Sequence, residues 1–340
     1  MLKNFKPTQL LENSLPKLGC KGMLLAVSEN NQIQTFSAGS LTKTEHNRPY
    51  YIYSITKTFT AVAILKLCQR HGNFLDESVS SYLPAASITA DITVRQLLNH
   101  TSGLGDYFTS AIYQEAVKAT PAQPWSYSKL MRFGLSKGPV FHPGKSWAYS
   151  NPGYGLLKEL IEAKSGMSYY DYLDKVIIKP CGLNETHPFV RPDTELRLLE
   201  GEDDQFSGDF RLDYHPGWIA TGCLISTVSD IARFYDALFD EQIIHKASLE
   251  EITQTVEVLA ESPAENIPSY GLGLMHFKKS PLGIAYGHGG SGPGYTTYAL
   301  HYPDLNGNSL SISMVLNRRL PQTPFSLADD ITSHYLSASA

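Results

Sequence analysis

Two short runs rich in β-forming residues, Gly22 to Val27 and Ile33 to Ser37, flank the polar segment Ser28-Glu29-Asn30-Asn31-Gln32 and predict a hairpin near the start of the chain. From Ser54 the period changes. Phe59, Val62, Ala63, Leu65, Leu67 and Cys68 recur at helical spacing without proline, and Gly72 stands where a helix would stop. Ser54 therefore falls at a predicted helix start. Between about Asp76 and His215 helical patterns dominate, in Thr93 to His100, Tyr154 to Ala163 and Ser168 to Ile177, interrupted by many turn residues. A further helix is expected after Ser226-Thr-Val-Ser-Asp230, whose Ser and Asp side chains are capping candidates for the apolar period of Ile231, Phe234, Tyr235 and Leu238. Beyond Tyr270 the β pattern returns in Gly271 to Phe277, Ile284 to Gly287, Tyr295 to Tyr302 and Ser309 to Leu316, divided by Gly, Pro, Asn and Asp.

These elements predict an α/β (α+β) fold in which one antiparallel sheet is assembled from both chain ends, flanked by helices, beside an all-helical subdomain. The expected boundaries are about 1–75 and 216–340 for the α/β part and 76–215 for the helical part of a single domain.

A chain of 340 residues with 42% hydrophobic content can bury a large core, and its formal charge of -5, without a long basic run, offers no attraction to phosphate backbones or anionic membranes. Nucleic-acid partners are not expected. No apolar run reaches the roughly 20 residues that span a bilayer, and the segment from Met1 to Pro7 is followed by polar positions where an export signal would be apolar. A cytoplasmic location follows if Met1 is the natural start, a periplasmic or secreted one if an export signal has been lost. Cys20, Cys68, Cys181 and Cys223 lack CxxC spacing and read as buried thiols, with no metal or other cofactor implied. There is no His-Glu-x-x-His, and Glu202-Asp203-Asp204 lacks the alternation of a calcium loop, so it reads as a solvated loop. Nothing speaks to the oligomeric state.

Three segments carry candidate chemistry. Tyr53-Ser54-Ile55-Thr56-Lys57 places a hydroxyl and an amine one helical turn apart, so that a lysine with a lowered pKa can take the serine proton. In Tyr149-Ser150-Asn151 the alternate side chains, a phenol and an amide, can face one cleft, the phenol relaying a proton and the amide binding lysine or a substrate carbonyl. His288-Gly289-Gly290-Ser291-Gly292-Pro293-Gly294 follows an apolar run, so that backbone can approach a ligand; the Ser291 and Ser54 amides can hold an oxyanion while His288 meets a polar or carboxylate group. Each segment alone has a structural alternative: a helix cap with a solvated lysine, a packed tyrosine beside a capping asparagine, and a glycine-rich turn around a structural histidine. A Gly-x-Ser-x-Gly elbow is absent, since Gly289 to Pro293 ends in proline.

Taken in order, Ser54-x-x-Lys57, Tyr149-x-Asn151 and His288-x-Gly290 resemble the three motifs of the β-lactamase-like, penicillin-binding serine hydrolases. The tyrosine of the second element resembles the class C branch, which includes class C β-lactamases, D-Ala-D-Ala carboxypeptidases, D-aminopeptidases and family VIII esterases. Ile92 to Leu104, Pro180-Cys-Gly-Leu183 and Thr221 to Thr227 resemble the same branch, so the likeness spans roughly residues 20 to 320. It implies Ser54 as nucleophile, Lys57 and Tyr149 as the proton-handling pair, and Asn151, His288, Gly290 and Ser291 as substrate contacts, without a metal. One departure matters: His288 and Gly289 stand where true β-lactamases usually carry lysine and threonine. The expected substrate is therefore an ester or a D-configured peptide or amide, a small molecule or short peptide, with weak or no β-lactamase activity. The alternatives are a true β-lactamase and a non-catalytic sensor that traps its ligand covalently.

Overall fold

The computed structural model describes residues 4–338 except 85, 87, 89, 90, 137, 259–268, 278–281 and 322, so Met1 to Lys3 of the N-terminal reading lie outside the described residues. Helix α1 (Thr8–Leu18) leads into the hairpin of β1 (Gly22–Glu29) and β2 (Gln32–Gly39), turned by Asn30 and Asn31 at φ 48° and 66°. Asparagine tolerates this left-handed backbone better than most side chains, which suits a two-residue hairpin. Strand β3 (Tyr50–Tyr51) then precedes the long helix α2 (Thr56–His71). The middle of the chain holds α3 (Val94–Leu98), α4 (Ala111–Ala119), α5 (Tyr127–Leu135), α6 (Asn151–Ser165), α7 (Tyr169–Leu173), the short strand β4 (His187–Pro188) and α8 (Phe210–Asp213). After β5 (Leu224–Ser226) come α9 (Val228–Phe239), α10 (Lys246–Thr253), β6 (Ser269–Tyr270), β7 (Met275–Phe277), β8 (Ala285–Gly292), β9 (Tyr295–Leu305), β10 (Asn308–Leu316) and α11 (Phe325–Ser337).

The seven-stranded sheet runs β2-β1-β10-β9-β8-β7-β6, and β1 pairs antiparallel with β10 from Met23 against Leu316 to Glu29 against Leu310. The two chain ends are thus neighbours at its centre, as the sequence predicts. Both faces of this centre are covered. Met23, Leu25 and Val27 of β1, with Ile312 and Met314 of β10, pack against Leu11 and Leu15 of α1 and Leu327 and Ile331 of α11. The alternate residues Leu24, Ala26 and Val315 face the core that contains α2 and α9. Helices α1 and α11 were not foreseen: each shows the sheet only a few apolar residues, and the rest of its surface is polar.

Two further differences concern strands. Of the strand expected from Gly271 to Phe277 only Met275–Phe277 forms, as β7, while residues 271–274 make the turn that joins it to β6, and a second, three-stranded sheet, β3-β5-β4, sews the middle of the chain to the segment before α2. The glycine run after Tyr286 continues β8 as far as Gly292, because β9 pairs with every residue of it. Cys20, Cys68 and Cys223 are buried, whereas Cys181 is partly exposed. Glu202 and Asp204 form ion pairs with Arg318, and Glu202 a further one with Lys21, so this cluster ties its loop to the end of β10 where free solvation was expected.

Candidate active site

Ser54 lies in a single 3-10 turn, Tyr53–Ile55, that runs directly into α2. Tyr53 is held at φ 46°, a conformation uncommon for a large side chain, and its hydroxyl donates to the Pro293 carbonyl oxygen at 2.5 Å. The turn is thereby fastened to the end of β8. Gly290 and Gly292 make that approach possible: a Cβ at Gly290 would meet the Ile52 carbonyl oxygen at 2.4 Å, and one at Gly292 the Tyr53 ring at 2.4 Å.

Lys57, one turn further on and 2% exposed, donates to Ser54 Oγ at 3.3 Å and to Asn151 Oδ1 at 2.8 Å. Burial lowers its pKa to about 7, against a smaller raising effect from Asp106. Near neutrality a large fraction of these amines carries a free lone pair. Tyr149 donates to Ser54 Oγ at 2.8 Å, and burial holds its phenol well above the usual range, so it is protonated at rest. Lys57 Nζ also sits 4.7 Å from the centre of the Tyr149 ring. Lys57 and Tyr149, predicted from two separate motifs, therefore meet at one oxygen, Ser54 Oγ.

Ser150 caps α6 by accepting the Gly153 N–H, which leaves Asn151 in the first turn free to point at Lys57. The Asn151 amide nitrogen donates to Asp106 Oδ1 and Oδ2 at 3.2 and 3.0 Å. His100, held at φ 64°, accepts the Ser150 N–H and lies against the Tyr149 ring with centroids 4.3 Å apart. Asp106 and His100 were not singled out in the sequence. Both belong to the stretch from Asn99 to Tyr107, whose density of turn-forming polar residues after a short helix was the available signal.

His288 is 1% exposed, with Nδ1 against the Gly289 carbonyl oxygen at 2.6 Å and Nε2 against the Tyr270 hydroxyl at 2.8 Å. The Gly289 carbonyl can only accept, so Nδ1 carries the proton; burial lowers the pKa to about 3, so the ring is neutral and Nε2 accepts from Tyr270. His288 thus borders the site without a positive charge, and both nitrogens are already occupied within the protein. In β8, Gly292 pairs with Tyr295 across the two-residue turn Pro293-Gly294. The alternation of an antiparallel ladder then turns the N–H of Ser291 away from β9.

These groups border a cavity of about 460 Å³ whose wall also includes Tyr107, Phe108, Trp218, Met275 and Thr323. Of the aromatic residues close to the motifs, Tyr53, Tyr107 and Phe108 line the cavity, while Tyr51 and Tyr295 are core residues. Among the described residues there is no cluster of three or more His, Cys, Asp or Glu able to hold a metal ion.

The family model described as Beta-lactamase matches residues 8–335. The chain belongs to the beta-lactamase family. That is a family of serine hydrolases, and its fold accounts for the sheet and the helices around this cavity. The chain is 31% identical over 307 residues to penicillin-binding protein 4* of Bacillus subtilis, covering 83% of this chain and 65% of that protein. It therefore spans less than two thirds of that relative's length. It is 25% identical to the D-alanyl-D-alanine-carboxypeptidase/endopeptidase AmpH of Escherichia coli, over 85% of this chain and 78% of that one. The crystal structure of a D-stereospecific amidohydrolase from Streptomyces sp. superposes with a TM-score of 0.79 at 30% identity, covering 92% and 93% of the two chains. Among the described residues no helix is long and apolar enough to cross a membrane.

Proposed function

We propose that this protein hydrolyses an ester or a D-configured peptide or amide, a small molecule or short peptide, through an acyl-enzyme on Ser54. The observation that carries the reading is the meeting of Lys57 and Tyr149 on Ser54 Oγ at 3.3 and 2.8 Å, at the wall of a cavity. In the resting site Tyr149 holds its proton and Lys57 is the available base. As Ser54 attacks, its proton passes to the Lys57–Tyr149 pair, whose proton location belongs to both groups together. Charge on Lys57 in turn stabilises a phenolate at Tyr149, so the phenol can deliver its proton to the leaving group. The amides of Ser54 and Ser291 are the proposed oxyanion donors, and water later releases the acyl group.

The substrate side of the reading rests on charge. A neutral His288, committed to Gly289 and Tyr270, offers no cation to grip a carboxylate, which argues against efficient β-lactam hydrolysis. The names of the relatives, a carboxypeptidase and a D-stereospecific amidohydrolase among them, favour D-configured amides over simple esters. Gly290 serves by admitting backbone close to the nucleophile, and Asn151 by holding Lys57.

The test follows p-nitrophenol release from short-chain esters, D-alanine release from D-Ala-D-Ala peptides, ammonia release from D-amino acid amides, and nitrocefin opening, for wild type and Ser54→Ala. Turnover of an ester or D-amide that vanishes in Ser54→Ala is the expected result. Activity that survives in Ser54→Ala removes the mechanism, and a stable acyl adduct without turnover replaces the enzyme by a sensor.

A further inference from the structure

Asp106 lies on the loop before α4, some fifty residues from either motif that it joins, yet its carboxylate is one amide group away from Lys57. Both of its oxygens accept from Asn151 Nδ2, while the other end of the same amide, Oδ1, accepts from Lys57 Nζ at 2.8 Å. Oδ1 of Asp106 also accepts the Phe108 N–H at 3.2 Å, which anchors the carboxylate to its own loop. An asparagine amide can flip end for end. With a carboxylate on one side only the orientation seen here places two donors, amide and ammonium, against two acceptors.

We propose that Asp106 is a positioning residue of this site: through the Asn151 amide it aims an oxygen at the Lys57 amine, and its charge sets the pH at which that amine becomes a base. The inference rests on the reading of Lys57 as base given above. The groups that face Lys57 are His100, Tyr149 and Tyr154 from the helical side, His288 from β8, Cys223 from before β5, and Asp106. Both histidines are buried and neutral, and the phenols and the Cys223 thiol are held protonated by burial, the thiol pushed up to about 12. Among the described residues, Asp106 is therefore the group that supplies negative charge to Lys57. It raises the lysine's proton affinity while burial lowers it.

The consequence has a sign that a purely structural role would not share. Neutralising Asp106 leaves burial unopposed, so the amine deprotonates at lower pH and the acid limb of kcat/KM moves down. The experiment is the pH dependence of kcat/KM between pH 5 and 9 on a p-nitrophenyl ester for wild type, Asp106→Asn, Asp106→Glu and Ser54→Ala. The acid limb of Asp106→Asn is expected about one pH unit below wild type, the lower end of the shift that one nearby opposite charge produces. Asp106→Glu, which keeps the charge, is expected to keep the limb in place even if its maximum falls. Should Asp106→Asn fail to fold, Asp106→Ser gives the same reading with a smaller neutral side chain. A limb that stays in place or moves upward in the neutral variants while Ser54→Ala is inert overturns this inference alone. Activity retained in Ser54→Ala overturns it together with the proposed function.

Discussion

Gly290→Ala tests whether β8 and the Ser54 turn form one unit. The added Cβ would lie 2.4 Å from the Ile52 carbonyl oxygen and 3.0 Å from both Tyr53 Cβ and Thr297 Cγ2. The first of these is backbone and cannot rotate aside, while Gly290 itself is held by its pairing with Thr297 in β9. Ordinary contact begins about 1 Å further out, so strand and turn must part by nearly that much, and a displacement of this size in a reacting constellation costs about a hundred-fold in rate. Overpacking of this kind removes roughly 1–3 kcal/mol of stability, small beside what would unfold the chain. The assay is kcat for the preferred ester or amide, with chemical denaturation alongside. Gly208→Ala, whose Cβ would meet only Asp213 Oδ2 at 3.6 Å, is the control and should change neither quantity. Turnover of Gly290→Ala within about threefold of wild type, in a folded protein, would refute the idea that close approach of β8 to Ser54 assembles the oxyanion donors.

Tyr149→Phe keeps the ring against His100 and loses the hydroxyl on Ser54, so turnover should fall by about a hundred- to ten-thousand-fold with the fold intact; circular dichroism and kcat together check this. Because Lys57 must be neutral to act as base and its pKa is lowered to about 7, kcat/KM should rise with pH through that value and then level. Lys57→Met should abolish turnover yet raise the thermal midpoint. The buried lysine binds a proton more readily when unfolded, so its cost to stability is full below about pH 7 and is relieved as pH rises toward 10.5, the ordinary value of a lysine; the difference between variant and wild type should shrink over that window. Tyr270→Phe strips the donor from a buried His288 nitrogen and should cost about 1–3 kcal/mol, read from urea unfolding.

What the sequence by itself determined was local or periodic. The Asn30-Asn31 turn, the helix after Ser54, the start of α9 and the strands of the C-terminal third each follow from neighbours within a few residues, although the cap of α9 is Thr227 and not the Ser and Asp candidates beside it. The spacing of Ser54 and Lys57 belongs to the same kind, since one helical turn brings them together whatever surrounds them. Tertiary structure decided the rest, because pairing and desolvation depend on groups distant along the chain. β8 runs through its glycines only because β9 lies beside it, and α1 and α11 exist as helices because a sheet face needs covering. His288 is neutral because Tyr270 and the Gly289 carbonyl hold it in a dry place, and Asp106 reaches Lys57 only through Asn151, forty-five residues further on. The motifs name the reacting groups; the packing around them sets which protons they hold, since a pKa is a property of the surroundings and not of the side chain alone.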